Sequence, residues 1–158
     1  MKRPTGHLET LLAHAVQTAI RRVETGGLPF AGRIVMGDGY STEPEVNRVR
    51  ETGDPSAHAE IVAMRQAMRD LRTADLAGAT LLATGEPCGL CYRFAADHGV
   101  EAVDFAVDRH TAAQYGFDYR ASYAALRTGQ SPVTQTARHL PVEHGEAPFT
   151  RYADLHRP

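Results

Sequence analysis

The apolar residues of this chain change period from segment to segment, and that alternation constrains the fold more than any other property. Leu8, Leu11, Leu12, Ala15, Val16, Ala19, Ile20 and Val23 recur at helical spacing. They predict one amphipathic helix, with Thr5 as its N-cap and Gly26-Gly27 as its stop. Phe30 to Met36 reads as a short strand ended by Gly37-Asp38-Gly39, and Glu45 to Val49 as a weaker strand returning beside it in a hairpin. Beyond the loop from Glu51 to Ser56, a second helix is predicted from Ala57 to Arg72, with Ile61, Met64, Met68 and Leu71 facing inward. Ala79 to Thr84 forms a buried strand, broken by Gly85-Glu86-Pro87. Cys88 to His98 is a third helix closed by Gly99, and Ala102 to Val107 a further strand. Helical segments follow around Thr111–Tyr115 and Tyr119–Leu126. Strands alternating with helices predict a single layered α/β domain over residues 1–158. Residues 129–158 are too interrupted for a core element, so they are expected to pack on a partner subunit or to lie on the surface.

Size and charge narrow the function classes. A chain of 158 residues is long enough for one well-buried core. Its 17 basic and 19 acidic residues give a net charge of −2, poor provision for a nucleic-acid backbone. The apolar runs fall short of the roughly 18 residues a membrane span needs. Met1-Lys2-Arg3-Pro4 leads into a polar-rich helix without a leader pattern, so a cytoplasmic location is expected. Cys88 and Cys91, three positions apart, are the wrong economy for a disulfide framework.

Those two thiols belong to a larger constellation. His58-Ala59-Glu60 opens the second helix and Pro87-Cys88-Gly89-Leu90-Cys91 the third, each just after a breaker, Asp54-Pro55 or Glu86-Pro87. Alone, the Cys-x-x-Cys pair could be a redox couple, half of a structural zinc site or two packed thiols. Helical spacing turns both sulfurs to one side. Together with the imidazole they make three ligands of the kinds zinc favours, which is the catalytic number; structural sites close with four. The fourth position then takes water, whose pKa the ion brings near 7. Glu60, two residues from His58, is placed to move that water's proton to a leaving nitrogen. Its competing role is to complement the helix dipole, worth about 0.3–1 kcal/mol.

The combined pattern His-x-Glu and Pro-Cys-x-x-Cys resembles the cytidine deaminase-like zinc deaminases, and within them the guanine deaminase and tRNA-adenosine deaminase branch. The likeness extends from about Leu8 to Asp118. Gly27-Leu28-Pro29-Phe30 with Ile34-Val35 is similar to the family's substrate-side first strand, and Asn47 to its base-binding asparagine. The resemblance implies a three-layer α/β/α sandwich with a mixed five-stranded sheet, a homodimer, and hydrolytic removal of an exocyclic amine from a nucleobase. It implies one zinc ion per subunit on His58, Cys88 and Cys91, with Glu60 as proton shuttle. Asn47 would bond the ring edge, Phe30 would wall the base or simply pack in the core, and the backbone at Ala59 would hold the reacting region. Tyr115-Gly116-Phe117-Asp118-Tyr119 is similar to a Gly-Phe-Asp-Asp segment of guanine deaminases, which makes Asp118 and Tyr119 candidate substrate contacts, with Tyr119 standing where the second acid would be. The C-terminal Ala147-Pro148-Phe149-Thr150-Arg151-Tyr152 resembles that of the guanine branch, where the tail is exchanged between subunits and closes the partner's pocket. A free aminated base, guanine foremost, is the implied substrate. Another aminopurine, cytosine or a nucleoside is the alternative, and tRNA adenosine or a non-catalytic zinc scaffold ranks below.

Overall fold

The computed structural model describes residues 5–157. The reading of Met1 to Pro4 as free of a leader lies outside the described residues. Helix α1 (Thr5–Glu24) buries Leu8, Leu12, Ala15, Val16, Ala19 and Val23, which is the apolar stripe with Leu11 and Ile20 left half-covered at its margins. It leads to strand β1 (Ala31–Val35), which turns back antiparallel into β2 (Glu45–Val46). β2 is shorter than its sequence suggests, because Asn47 leaves the sheet and turns the chain into a one-turn helix α2 (Val49–Thr52): its Oδ1 accepts the Val49 N–H at 3.1 Å, with Arg48 at the N-cap.

Helix α3 (Ala59–Leu71) follows, then β3 (Thr80–Gly85), α4 (Gly89–Asp97) and β4 (Ala102–Val107). The sheet order is β2-β1-β3-β4-β5, where β5 (Arg138–His139) runs parallel to β4, β4 parallel to β3, and β1 antiparallel to β3. Alternation along the strands divides the core. Ile34, Leu81, Val103 and Phe105 face Ile61 and Met64 of α3 and Tyr92 and Ala95 of α4. Their neighbours Val35, Leu82 and Ala106 face Leu8, Leu12 and Val16 of α1. The result is the expected α/β/α sandwich around a mixed five-stranded sheet.

After β4 come three short helices, α5 (Arg109–Gln114), α6 (Ala121–Ala125) and α7 (Pro132–Gln135), and a final helix α8 (Ala147–Leu155). The expectation that residues 129–158 build no core element is corrected here. Val133 and Leu140 are buried, β5 extends the sheet, and Phe149 of α8 is fully buried. Phe149 packs edge-on against Phe30 at 5.4 Å and Phe117 at 6.0 Å, at the end of the sheet where β4 finishes. An aromatic cluster drawn from three separate segments supplies what local periodicity lacks. Among the described residues no helix is long and apolar enough to cross a membrane.

Candidate active site

The site forms where two helices begin. His58 is the N-cap of α3 and Cys88 the N-cap of α4; both have extended backbone just before the first turn. Cys91 lies one turn into α4, so its sulfur returns to the same side as that of Cys88. The His58 Nδ1 atom is 3.5 Å from each sulfur, and the sulfurs are 3.7 Å apart. Among the described residues this trio is the group of histidine, cysteine and acid side chains close enough to share an ion.

The separations test whether zinc fits. Bond lengths of about 2.3 Å to sulfur and 2.0–2.1 Å to nitrogen with tetrahedral angles require sulfurs about 3.8 Å apart and nitrogen about 3.5 Å from each. The triangle matches that demand on all three edges. The protonation balance agrees. Without a cation, the Cys91 hydrogen bond and His58 draw the Cys88 thiol well below its ordinary value, whereas burial and the neighbouring thiolate push Cys91 up. Two sulfurs this close cannot both be anionic unless a dication sits between them.

Glu60 lies in the first turn of α3, only 4% exposed, with Oε2 3.3 Å from the Cys91 sulfur. Burial first, and then the Cys88 charge, push its carboxyl up to about 7. A surface dipole cap would be exposed, so this burial beside the sulfurs favours the proton-transfer role. Gly32 of β1 gives α3 room to enter, since a Cβ there would approach the Glu60 Cα to 3.3 Å.

A cavity of about 200 Å³ opens on this centre, lined by Leu28, Phe30, Asn47, His58, Ala59, Glu60, Glu86, Cys88 and Tyr119. The structure thus brings together eight of the nine residues singled out from the sequence, if Cys91 behind the ligand cluster is included. Phe30 does both jobs open to it: its ring meets Phe117, Tyr119 and Phe149 and also walls the cavity. Tyr119 presents its ring to the cavity while its hydroxyl donates to the Glu86 carbonyl at 2.6 Å. Asp118 is placed elsewhere. Its carboxylate is exposed and bound by Arg120 at 2.8 Å, because neighbours in an extended segment point opposite ways and Tyr119 takes the inward position.

Two features escaped the sequence reading. Glu86, 6% exposed, lines the cavity but has both carboxylate oxygens engaged, by the Arg109 backbone N–H and guanidinium at 2.8 Å each and by the Tyr92 hydroxyl at 3.1 Å. Arg109 also lies 3.7 Å over the Tyr123 ring. An acid directly before Pro-Cys was the available signal.

Comparison with known proteins agrees with this geometry. The family of cytidine and deoxycytidylate deaminase zinc-binding regions matches residues 5–107. A guanine deaminase of Bacillus subtilis is 36% identical over 111 residues, 70% of this chain and 70% of that protein. A tRNA-specific adenosine deaminase of Aquifex aeolicus is 40% identical over 83 residues, 52% of this chain and 54% of the relative, so the chain spans about half of that relative's length. The solved guanine deaminase of Nitrosomonas europaea shares the fold with a TM-score of 0.77 at 22% identity, over 98% of this chain and 86% of that one. A half-buried imidazole and thiol beside a buried thiol and a buried carboxylate, where two helices of an α/β/α sandwich begin, define a zinc aminohydrolase. The chain belongs to the cytidine and deoxycytidylate deaminase zinc-binding family. It is a zinc-dependent hydrolytic deaminase.

Proposed function

We propose that this deaminase acts on a free aminated nucleobase, guanine foremost, converting guanine and water to xanthine and ammonia. The observation that carries the reading is the size and lining of the cavity. At about 200 Å³ it falls below the roughly 300–1,000 Å³ of sites for drug-sized ligands and suits a single fused ring. Phe30 and Tyr119 offer flat aromatic walls and Leu28 an aliphatic one, and Asn47 offers an amide that can pair with a heterocycle edge. The 36% identity to a guanine deaminase supports guanine over other bases.

Zinc would be held by His58, Cys88 and Cys91 and would supply Lewis acidity, enough to bring the pKa of a water to about 7. The protein supplies the rest. The Glu60 carboxylate takes a proton as water oxygen bonds to the amine-bearing carbon. It gives that proton to the ring nitrogen that has taken up the electron pair, then collects the proton of the new hydroxyl and hands it to the exocyclic amine as the C–N bond breaks, so the amine departs as ammonia and the ring keeps a carbonyl. Asn47 and the ring walls hold the base so that this carbon faces Glu60. The resemblance to exchanged tails extends the proposal to a homodimer in which α8 backs the partner's Phe30, as it backs its own within one chain.

A second cavity favours a second reading. About 530 Å³ in volume, it shares Leu28 and Asn47 with the first and continues past Arg22, Arg50, Tyr152 and His156. A base still carrying its sugar would extend into it. Ammonia release from guanine, adenine, cytosine and their nucleosides, measured on zinc-loaded protein, decides. Turnover of guanine above its nucleoside supports the free-base reading; preference for the nucleoside replaces it, and ammonia from none of them overturns both.

A further inference from the structure

We propose that residues 119–123 act as a positioning clamp on the loop that carries Cys88. Three hydrogen bonds from this segment fall on three residues that bracket the ligand. The Tyr119 hydroxyl donates to the Glu86 carbonyl at 2.6 Å, the Tyr123 hydroxyl donates to the Pro87 carbonyl at 2.6 Å, and the Gly89 N–H donates to Ser122 Oγ at 2.8 Å. Ser122 Oγ in turn donates to the Tyr119 carbonyl at 2.5 Å, which braces the segment internally. Arg109 stiffens it from outside by stacking on the Tyr123 ring while bonding the Glu86 carboxylate. The approach is as close as the chain permits: a Cβ on Gly89 would collide with the Ser122 carbonyl.

Cys88 needs such a frame. As the N-cap of α4 it joins the helical ladder only through its carbonyl, which accepts the Tyr92 N–H at 3.0 Å, and the segment just before it, Glu86-Pro87, has a proline that can donate no backbone bond. The two carbonyls ahead of Cys88 therefore find their donors in tyrosine hydroxyls that are 33 and 36 residues distant. Groups that orient metal ligands without touching the ion commonly change metal affinity by about 10–100-fold when removed. Tyr119 has a double duty, since the ring that walls the cavity belongs to the hydroxyl that holds the loop. The clamp works whichever heterocycle the enzyme takes, and its failure would leave the substrate reading untouched.

Competition with a zinc-chelating dye on the full chain tests the clamp, because it reads zinc affinity without turnover. Tyr123→Phe keeps the ring over which Arg109 stacks and removes only the bond to Pro87; it should bind zinc about 10–100-fold more weakly. Tyr119→Phe with Tyr123→Phe should lose more than either alone. Tyr40→Phe is the control: it deletes a hydroxyl bond of equal length, to Asp70 at the far end of α3. The control should keep wild-type affinity. If Tyr123→Phe and the double variant stay within twofold of wild type, or if Tyr40→Phe loses as much, the clamp is refuted. The cobalt-substituted proteins give a second readout in case zinc-free variants unfold early. Ligand-field bands displaced in Tyr123→Phe and unmoved in Tyr40→Phe support the clamp, and identical bands in both refute it.

Discussion

The Glu60 carboxylate sits 3.3 Å from the Cys91 sulfur, buried, on the turn of α3 that His58 begins. A buried acid on α3 and a thiol on α4 are thereby brought within a single side chain's reach of each other and of His58. Replacing Glu60 with Gln keeps the volume and removes the base. The turnover number is expected to fall about 10²–10⁴-fold, or about 3–5 kcal/mol at 1.36 per decade, with zinc content unchanged. Ammonia release and metal analysis of the same preparation check it; a loss under tenfold would leave Glu60 with the dipole role alone.

Chelation should abolish turnover, and restoring zinc should restore it. Because the ion ties the first turn of α3 to that of α4, its removal should also lower the melting temperature. Free zinc at a hundred times its dissociation constant stabilises the folded state by about 2.7 kcal/mol. At roughly 2–4 °C per kcal/mol for a chain of this size, the shift is about 5–10 °C, read by calorimetry with and without chelator.

Phe149→Ala removes a side chain with no exposed surface from the aromatic cluster behind Phe30. A cost of about 3–5 kcal/mol is expected in denaturant unfolding. Since Phe30 loses its backing, the Michaelis constant should rise while the turnover number changes less. Equal losses in both would detach α8 from the cavity wall.

Asp118→Asn tests the placement of that acid. Arg120 holds the Asp118 carboxyl down to about 2, against an unfolded value near 3.9. A depressed folded value means that the pair's small contribution is present above pH 4 and is lost as pH falls toward 2. Catalytic efficiency at neutral pH should stay within about twofold of wild type. A large loss would put Asp118 back at the substrate.

The clustering of His58, Cys88, Cys91 and Glu60 was legible because such chemistry depends on residue type and spacing, and because breakers mark where both helices begin. The layered core was legible from period alone, in α1 above all. What resisted reading depends on contacts made across the fold. Nothing local about Arg138-His139 announces β5; the strand is placed by the bond of Arg138 to the buried Asp104, 34 residues back. Phe149 and Phe30 are separated by most of the chain, so their packing leaves no pattern in either neighbourhood. Tyr123 acts on a backbone carbonyl, and carbonyls are the same at every position. Asp118 and Tyr119 needed only the direction of one peptide segment to be told apart, and a short segment outside any helix or strand gives no direction.

The sheet is rimmed by two-residue strands, β2 on one side and β5 on the other. Neither margin offers a row of open amides long enough for a foreign strand to zip onto, which guards the protein against fibre-like growth. Short margins of this kind disfavour ribbon-to-ribbon extension of the sheet from one copy to the next.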